Sequence, residues 1–307
     1  MRISNSTFTD NFLGQIQQLQ QQQNTLQGES SSGLKVTSPE DNPAVMAQVL
    51  NLQTDSAAYA AYQNNITQLQ STATISATAM NSLQTIVSQV NDIATEASNG
   101  TNSSAQLSDY ATQVESLLQQ AVQLANTQDA DGNYIFSGTA SNSQPYEIVS
   151  NNGTITDVAY NGGTEVAESD IGPNTKVSAQ VLGSGVDGLI TNSNTGADLF
   201  GDMIKLQQNL ANGDTGAIAS TDAPALSNDE DNIVSQISAN GVIQSALTAA
   251  SNIATAQSTN LTTQISGDTS ADMATTLTEL SQTQTAYEAA LESGTKVLQI
   301  SLVNFLA

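Results

Sequence analysis

The fold is decided by residues 62–97, which read YQNNITQLQSTATISATAMNSLQTIVSQVNDIATEA. Apolar and small residues recur there at alternating steps of four and three, the spacing of one helix face in a coiled-coil-like bundle. Helix-start and helix-stop signals extend the helix from about Pro43 to about Ser98. At 1.5 Å per residue this is about 80 Å, and so long a helix needs partner helices along its length. The face consists of Tyr62, Ile66, Leu69, Ala73, Ser76, Met80, Leu83, Val87, Val90, Ala94 and Ala97.

The same alternating spacing occurs at both ends of the chain. Near the N-terminus it predicts a helix between Asn5 and Leu26 that stops at Gly28. Near the C-terminus it predicts a helix from Asp229 to Gly267, followed by a second helix that continues almost to the last residue. The two terminal faces need a partner, which is either the other terminus or a neighbouring copy of the chain. The predicted self-assembly seam is Phe12, Ile16, Leu19, Leu26, Leu277, Leu280, Tyr287, Leu291, Leu298 and Phe305.

Gly294 occupies a position in the C-terminal face where an apolar side chain is expected. One interpretation is a tolerated defect that costs the helix about 1 kcal/mol. The other is that a neighbouring helix approaches closely at this point. The sequence leaves both interpretations open.

The middle of the chain has a different pattern. A third helix is predicted over residues 105–126, and residues 138–190 are predicted to form a small β-rich domain, because short strand-like runs alternate there with Asn/Gly turns. A short amphipathic helix over residues 197–212 and a Ser/Thr/Asp-rich linker over about 214–227 follow. The predicted strand-like runs are residues 134–136, 146–149, 154–160, 166–167 and 176–181.

Together these elements predict a mainly α fold with a small β-rich insert. Long terminal helices are expected in a coiled-coil-like bundle, with an outward β domain. The predicted segments are an N-terminal assembly segment (1–42), the N-terminal part of the helical bundle (43–137), the β-rich outer domain (138–190), a short helix and linker (191–228), the C-terminal part of the bundle (229–284) and a C-terminal assembly segment (285–307).

Charge and hydropathy exclude several classes of partner. The chain has 29 acidic and 5 basic residues, a net charge of −24. Proteins that bind nucleic acids use Lys and Arg to replace phosphate counterions, so we expect no nucleic-acid partner. Anionic membrane surfaces repel such a chain, and no apolar run approaches the roughly 18 residues of a membrane span. We therefore expect no membrane partner.

The residue inventory also argues against catalysis. There is no cysteine and no histidine, which removes thiolate nucleophiles, the commonest general base and the commonest metal ligands. The acidic groups Asp229-Glu230-Asp231 and Asp129 to Asn133 are interpreted as a helix start and a turn. We predict no catalytic residue, no cofactor and no metal, and hence no enzyme. The N-terminus lacks the features of a Sec-type signal peptide, which taken alone favours the cytoplasm.

Three segments resemble a known family. They are SSGLKVTSPEDNPA at residues 31–44, DGNYIFSG at residues 131–138, and the C-terminal stretch that includes QTAYEAAL at 284–291 and LQISLVNFL at 298–306. In this order they are similar to the hook-associated protein 3 family, the hook–filament junction proteins of the flagellin superfamily. The matching regions span about residues 1–138 and 229–307.

The resemblance implies a structural subunit of the bacterial flagellum. Such a subunit is secreted through the flagellar type III apparatus, which reverses the cytoplasmic expectation, and forms the junction between hook and filament by coiled-coil self-assembly. The implied partners are copies of the chain, hook protein, flagellin or a second junction protein, and a flagellar export chaperone. Two alternatives remain open, flagellin itself as the filament subunit and a secreted surface adhesin module.

Overall fold

The structure is a computed structural model. It describes residues 2–151 and 153–306, and it describes side chains for residues 10–151 and 153–296. The described residues form two compact units, one built from both chain ends (residues up to 58 and from 257) and one from residues 59–256. The helices are α1 (Arg2–Ser32), α2 (Pro43–Ala97), α3 (Ser104–Ala125), α4 (Leu199–Asn212), α5 (Thr215–Ala217), a π-helical turn (Ile218–Asp222), α6 (Ala223–Thr269) and α7 (Met273–Leu306). The strands are β1 (Tyr146–Asn151), β2 (Thr154–Tyr160), β3 (Ser169–Gly172), β4 (Thr175–Val177), β5 (Ser184–Gly185), β6 (Thr191–Asn192) and β7 (Ala197–Asp198).

The long helix predicted from about Pro43 to Ser98 is confirmed as α2, which ends at Ala97. The predicted apolar face of α2 points into the core of the second unit, and even its serine, Ser76, is fully buried there. One part of this face packs with α3, α4 and the β segments, and another part packs with Leu247 and Ala254 of α6. Each fully buried Val, Leu or Met side chain contributes about 1.5–3 kcal/mol. The fully buried residues are Ala73, Ser76, Met80, Leu83, Val87, Val90, Ala94 and Ala97.

The two shorter helices in the middle of the chain are held by specific caps. Ser103 and Gln106 form a capping box at the start of α3, each side chain pairing with the other's backbone N–H. Asp198 caps α4, and Gly213 ends it with φ 74°, a conformation that glycine adopts without strain. The predicted helices over residues 105–126 and 197–212 are confirmed, although Ala197 and Asp198 form strand β7 before α4 begins.

The β segments form three small sheets. Strands β1 and β2 make an antiparallel hairpin with a bulge between Val149 and Ser150. Strands β3 and β4 form a second antiparallel pair, and β6 joins β5 in parallel and β7 in antiparallel fashion. Tyr146 of β1 lies between Tyr160 and Phe200, with ring centroids 5.1 and 5.2 Å away. This buried aromatic cluster ties the hairpin to α4.

The predicted strand positions are partly wrong. Runs 146–149 and 154–160 are confirmed as β1 and β2, but residues 134–136 contribute only a bridge between Gln128 and Tyr134, and residues 166–167 form no strand. Only the start of run 176–181 is a strand, within β4. Pairs β3–β4 and β5–β6–β7 involve strands of two to four residues, too short to give a period-two pattern.

The predicted end of the first helix at Gly28 is also wrong. Helix α1 passes through Gly28 and ends only at Ser32, where Gly33 adopts φ 73°. The hydroxyls of Ser31 and Ser32 donate to the Gly28 carbonyl at 3.0 and 2.9 Å, which keeps the last turn closed. A single glycine weakens a helix without requiring that it end.

The predicted linker over residues 214–227 is helical instead. Helix α5, the π-helical turn and the first turn of α6 occupy it, so α6 begins before the predicted start at Asp229. Ile218 and Leu226 are fully buried within this segment. Their burial outweighs the weak helix propensity of the surrounding Ser, Thr and Asp residues.

The predicted fold class is confirmed. The chain is mostly helical, its terminal helices pack together, and short β segments lie in the middle of the sequence. Within the residues that the structure describes, no helix combines the length and apolar character needed to cross a bilayer.

Candidate assembly surfaces

Helices α1 and α7 form an antiparallel pair in the unit built from the chain ends. Within the pair, the Phe12 ring of α1 lies directly against Gly294 of α7. At one end, Leu34 and Ser270 form an antiparallel bridge. The chain runs from Phe12 through the rest of α1 to Leu34 and returns from Ser270 through α7 to Gly294, so the two helices are antiparallel. The chain thus supplies a partner for both of its terminal faces.

The predicted α1 positions all lie on the face that packs. Ile16 and Leu26 are buried, and Phe12 and Leu19 are half-buried. Leu13, one position off this face, is exposed. The alternating spacing therefore identifies the inward side of α1 correctly.

The predicted α7 positions divide into two groups. Leu280 and Tyr287 are partly buried, whereas Leu277 and Leu291 are 50% and 42% exposed. Leu298 and Phe305 lie outside the residues whose side chains the structure describes. The inward face of α7 alternates steps of four and three through Thr276, Leu280, Thr283, Tyr287, Ala290 and Gly294.

Sequence reasoning missed Thr276 and Thr283, which are both buried. A search for apolar residues passes over threonine, although its methyl group and small size suit a close helix pair. Gly294 could have indicated these two threonines. It lies on the same helix face as Thr283 and Thr276, and all three residues are small.

A turn-to-turn contact closes the α1–α7 pair. The backbone N–H of Lys35 donates to the Thr269 carbonyl, and the N–H of Ala271 donates to the Gly33 carbonyl, both at 2.8 Å. The two chain segments that reverse direction at this end are thereby joined by main-chain hydrogen bonds. Such bonds do not depend on the side chains at these positions.

The Asp41 carboxylate organises the turn that precedes α2. One of its oxygens accepts the backbone N–H groups of Thr37 and Ser38, both at 2.9 Å, and the Thr37 hydroxyl at 3.1 Å. The N–H of Thr37, followed by that of Ser38, lowers the pKa of Asp41 because these bonds favour the ionised form. Asp272 caps the start of α7 in the same way, and the Thr275 hydroxyl and the Ala274 N–H lower its pKa.

Helix α6 carries a second, exposed helix face in its part within residues 59–256. We call it the outer α6 face. All of its members are exposed, and Val242 and Ile253 reach 71% and 62%. It lies beside the buried face that contains Leu247 and Ala254. The outer α6 face consists of Ala239, Val242, Ala246, Ala249, Ile253 and Ala256, at steps of three and four.

A cluster of acidic side chains lies where α6 meets α4. One oxygen of Asp229 accepts the N–H of Asp198 at 2.9 Å, and the other is buried without a hydrogen-bond partner among the described residues. Burial, reinforced by Asp202, raises the pKa of Asp229 to about 8. Lys205 pairs with Asp202 at 2.8 Å. Asp229 thus anchors the start of α4 through the Asp198 N–H, and its burial favours the neutral carboxyl.

This arrangement corrects the interpretation of the Asp229-Glu230-Asp231 group as a helix start. All three residues lie inside α6, and Glu230 accepts a hydrogen bond from Asn91 of α2 at 2.9 Å. The other acidic group is a turn, as predicted, since Asp129 accepts the N–H groups of Asp131 and Asn133 at 2.9 Å. Among the described residues, no group of three or more His, Cys, Asp or Glu could hold a metal ion.

These features define a helical protein whose N- and C-terminal helices pair and whose middle carries short β-hairpins. Residues 3–141 match the family model of the bacterial flagellin N-terminal helical region. This part of the chain is therefore similar to the N-terminal helical region of bacterial flagellins.

Solved structures share the fold. A putative flagellar hook-associated protein from Vibrio parahaemolyticus aligns with a TM-score of 0.65 at 19% identity, covering 75% of this chain and 100% of that one. FlgL from Xanthomonas campestris aligns with a TM-score of 0.59 at 14% identity, covering 70% and 99%. FlgL from Bacillus cereus gives a TM-score of 0.56 at 17% identity, covering 70% and 99%. A comparison with curated proteins gave no match.

Proposed function

We propose that this chain is a structural subunit of the bacterial flagellum that assembles at the junction between hook and filament. The observation that carries the proposal is the combination of a flagellin-type N-terminal region with a fold shared with hook-associated proteins. Those structures are covered over 99–100% of their length. The subunit works outside the cell, and it is not an enzyme.

Self-assembly is supported by apolar side chains that the α1–α7 pair leaves uncovered. Leu277 and Leu291 of α7 and Leu13 of α1 are exposed in the single chain. A second copy would remove them from water, at about 25 cal/mol per Å² of apolar surface. Among the members of the predicted self-assembly seam with described side chains, Leu277 and Leu291 are therefore the ones we propose for contact with a neighbouring copy.

Charge supports the outer α6 face as another contact between copies. Each copy has a net charge of −24, so copies repel one another unless their contact surfaces are uncharged. Residues 232–267 contain no Asp, Glu, Lys or Arg, and residues 56–91 contain none either. Helices α2 and α6 therefore offer long uncharged surfaces, and the outer α6 face adds the three–four spacing that helix pairing requires.

The junction role requires partners of two kinds. One end of a layer of copies would meet hook protein, and the other would meet flagellin or a second junction protein. Before assembly, a flagellar export chaperone would cover the terminal faces. The family resemblance implies these partners.

Deletion of the gene tests the role. We expect bare hooks by electron microscopy, with flagellin lost to the medium, and labelled protein located at the hook tip in complemented cells. Bare hooks with no flagellin in cells or medium would instead identify the chain as the filament subunit, the alternative that the flagellin-type N-terminal match favours. Normal filaments would contradict both roles.

A further inference from the structure

The β1–β2 hairpin has one edge to which no other described strand pairs. Strand β1 pairs with β2 on one side only, in the register Tyr146–Tyr160, Ile148–Val158. In an antiparallel pair, alternate residues point both their N–H and C=O groups towards the partner strand or away from it. Which β1 residues face away decides what the open edge can bind.

The hydrogen bonds at Tyr146 settle the direction. Its N–H donates to the Asn126 side-chain oxygen at 2.9 Å, and its C=O accepts from the Asn126 amide at 2.8 Å. Both groups therefore point away from β2. Pro145, one residue earlier, accepts from Asn161 at 2.7 Å and so points towards β2. Ile148, two residues after Tyr146, points its N–H and C=O in the same outward direction as Tyr146.

The outward groups of Ile148 are available. Within residues 10–151 and 153–296, the structure shows no hydrogen bond from a backbone or side chain outside the β1–β2 ladder to Ile148. The opposite edge of the hairpin differs, since the Val158 N–H there donates to the Asp157 carboxylate at 2.8 Å. Ile148 is also 37% exposed. An open strand edge with an exposed apolar residue is a site where another strand can add.

A groove runs along this edge. Its volume is about 520 Å³, and it lies between α3 and β1. This volume falls in the range of about 300–1,000 Å³ typical of ligand sites. Its lining combines carboxamides with the side chains of Val122, Tyr134, Tyr146 and Ile148 and contains no charged side chain. In a chain with a net charge of −24, such a neutral concave surface favours an uncharged occupant.

Asn126 indicates the chemistry of that occupant. A carboxamide presents the same donor and acceptor as a peptide group, and Asn126 pairs with both main-chain groups of Tyr146 as a neighbouring strand would. The next outward pair along the same edge belongs to Ile148, beside the groove. An amide that paired with Ile148 as Asn126 pairs with Tyr146 could be a peptide group of an added strand.

We propose that the groove between α3 and β1 binds an extended, uncharged peptide segment of another polypeptide, which adds as a strand to the free edge of β1. The peptide pairs with the N–H and C=O of Ile148, and its inward side chains contact Val122 and the ring of Tyr134. Asn126 ends the added strand because it already occupies the edge at Tyr146. Main-chain pairing supplies affinity, and the neutral groove selects against charged sequences. This binding does not depend on the junction role.

Titration of the whole chain with an acetylated, amidated heptapeptide of alternating Thr and Val tests the proposal. We expect saturable binding by calorimetry and slower hydrogen exchange of the Ile148 amide. Ile148→Pro removes the outward N–H while leaving the β1–β2 ladder bonds in place, so it should weaken binding by about tenfold or more. Ile148→Val keeps the N–H and should bind like the unmodified chain.

A modified probe keeps the test valid if Ile148→Pro unfolds the hairpin. The backbone amides of the heptapeptide fall into two alternating sets. One modified peptide is N-methylated on the first set, and a second modified peptide is N-methylated on the other set. A strand that adds to β1 pairs through only one set, so methylation of that set should abolish binding to the unmodified chain and methylation of the other should not. Equal binding of both peptides, equal binding by the Pro and Val variants, or no binding of the parent peptide would overturn the proposal.

Discussion

The Phe12 ring of α1 occupies the space that a side chain at position 294 of α7 would fill. Gly294 is thus a point of direct contact between the two terminal helices, and the second of the two interpretations of this glycine holds. The helix gives up about 1 kcal/mol of propensity there. In return, an aromatic ring packs against the α7 backbone.

Gly294→Ala should therefore destabilise the α1–α7 pair, although alanine is the better helix former. The new Cβ overlaps the Phe12 ring, and overpacking typically costs about 1–3 kcal/mol. Urea unfolding of the purified chain measures the change. Gly14→Ala in α1 is the matched control, because nothing lies within 4 Å of its Cβ position, and it should stabilise by about 0.5–1 kcal/mol.

The same substitution in a Phe12→Ala background completes a double-mutant cycle. Without the ring, Gly294→Ala should be neutral or stabilising, so the two substitutions should couple by more than about 0.5 kcal/mol. Additive effects would mean that the ring does not pack against Gly294 in solution.

The buried carboxyl of Asp229 should make stability fall as pH rises. Its pKa is about 8 in the folded chain against an ordinary value of 3.8, so the folded state binds more protons than the unfolded state between these values. The free energy of unfolding should then decrease with pH across that window, by up to about 1.4 kcal/mol per pH unit. The charges that face the group are Asp202, Asp198 and Lys205.

Asp229→Asn should flatten this dependence, because the amide stays neutral and can still accept the Asp198 N–H. Thermal unfolding measured from pH 5 to pH 9 gives the comparison. The gain over the unmodified chain should be greater at pH 9 than at pH 5. Asp231→Asn, an exposed acid in the same helix, serves as the control. A gain that is the same at every pH would contradict the assignment.

How much the sequence could predict depends on how apolar each helix face is. Helix α2 was predicted to within a residue at its C-terminal end because Met80, Leu83, Val87 and Val90 repeat without ambiguity. In α7 the predicted apolar register shares Leu280, Tyr287 and Gly294 with the observed inward face but departs from it elsewhere. Threonines fill the remaining inward positions, and leucines lie outside.

The other departures arise from contacts distant in sequence. The segment around Ile218 and Leu226 has the composition of a linker and becomes helical because those two side chains reach the core. From the sequence alone, Asp229 is interpreted as part of a helix start. Its contact with Asp198, 31 residues away, exists only in the folded chain. The groove beside Ile148 had no sequence signal, since its lining comes from α3, the following loop and β1.

Acid should loosen the turn that Asp41 holds. The pKa of this carboxyl is lowered from 3.8 by the N–H groups of Thr37 and Ser38, so the unfolded turn binds protons more readily than the folded one. The stabilisation is present above about pH 3.8 and is lost as pH falls through the lower folded value. Hydrogen exchange of the Thr37 and Ser38 amides, corrected for intrinsic rates, should show protection lost on acidification.

Asp41→Asn should remove most of that protection already at neutral pH, because a neutral amide accepts hydrogen bonds less strongly than a carboxylate. Glu40→Gln changes a neighbouring exposed acid and should leave both amides protected. Equal protection in the two variants would show that the turn does not depend on Asp41.

Charge placed on the outer α6 face should block assembly without unfolding the chain. Val242 and Ile253 are 71% and 62% exposed, so Val242→Asp and Ile253→Asp remove few contacts within one copy and should shift the free energy of unfolding by about 0.5 kcal/mol or less. In an assembled layer each copy would bury an unpaired carboxylate against a neighbour that is also acidic, which is strongly unfavourable.

Thr248→Asp places the same charge on an exposed position of α6 away from this face. In complemented cells, we expect the two face variants to be exported but to leave hooks bare, and the Thr248→Asp cells to carry filaments. Filaments in all three strains would exclude the outer α6 face as a contact between copies, and a loss of thermal stability in the face variants would place these side chains in the core instead.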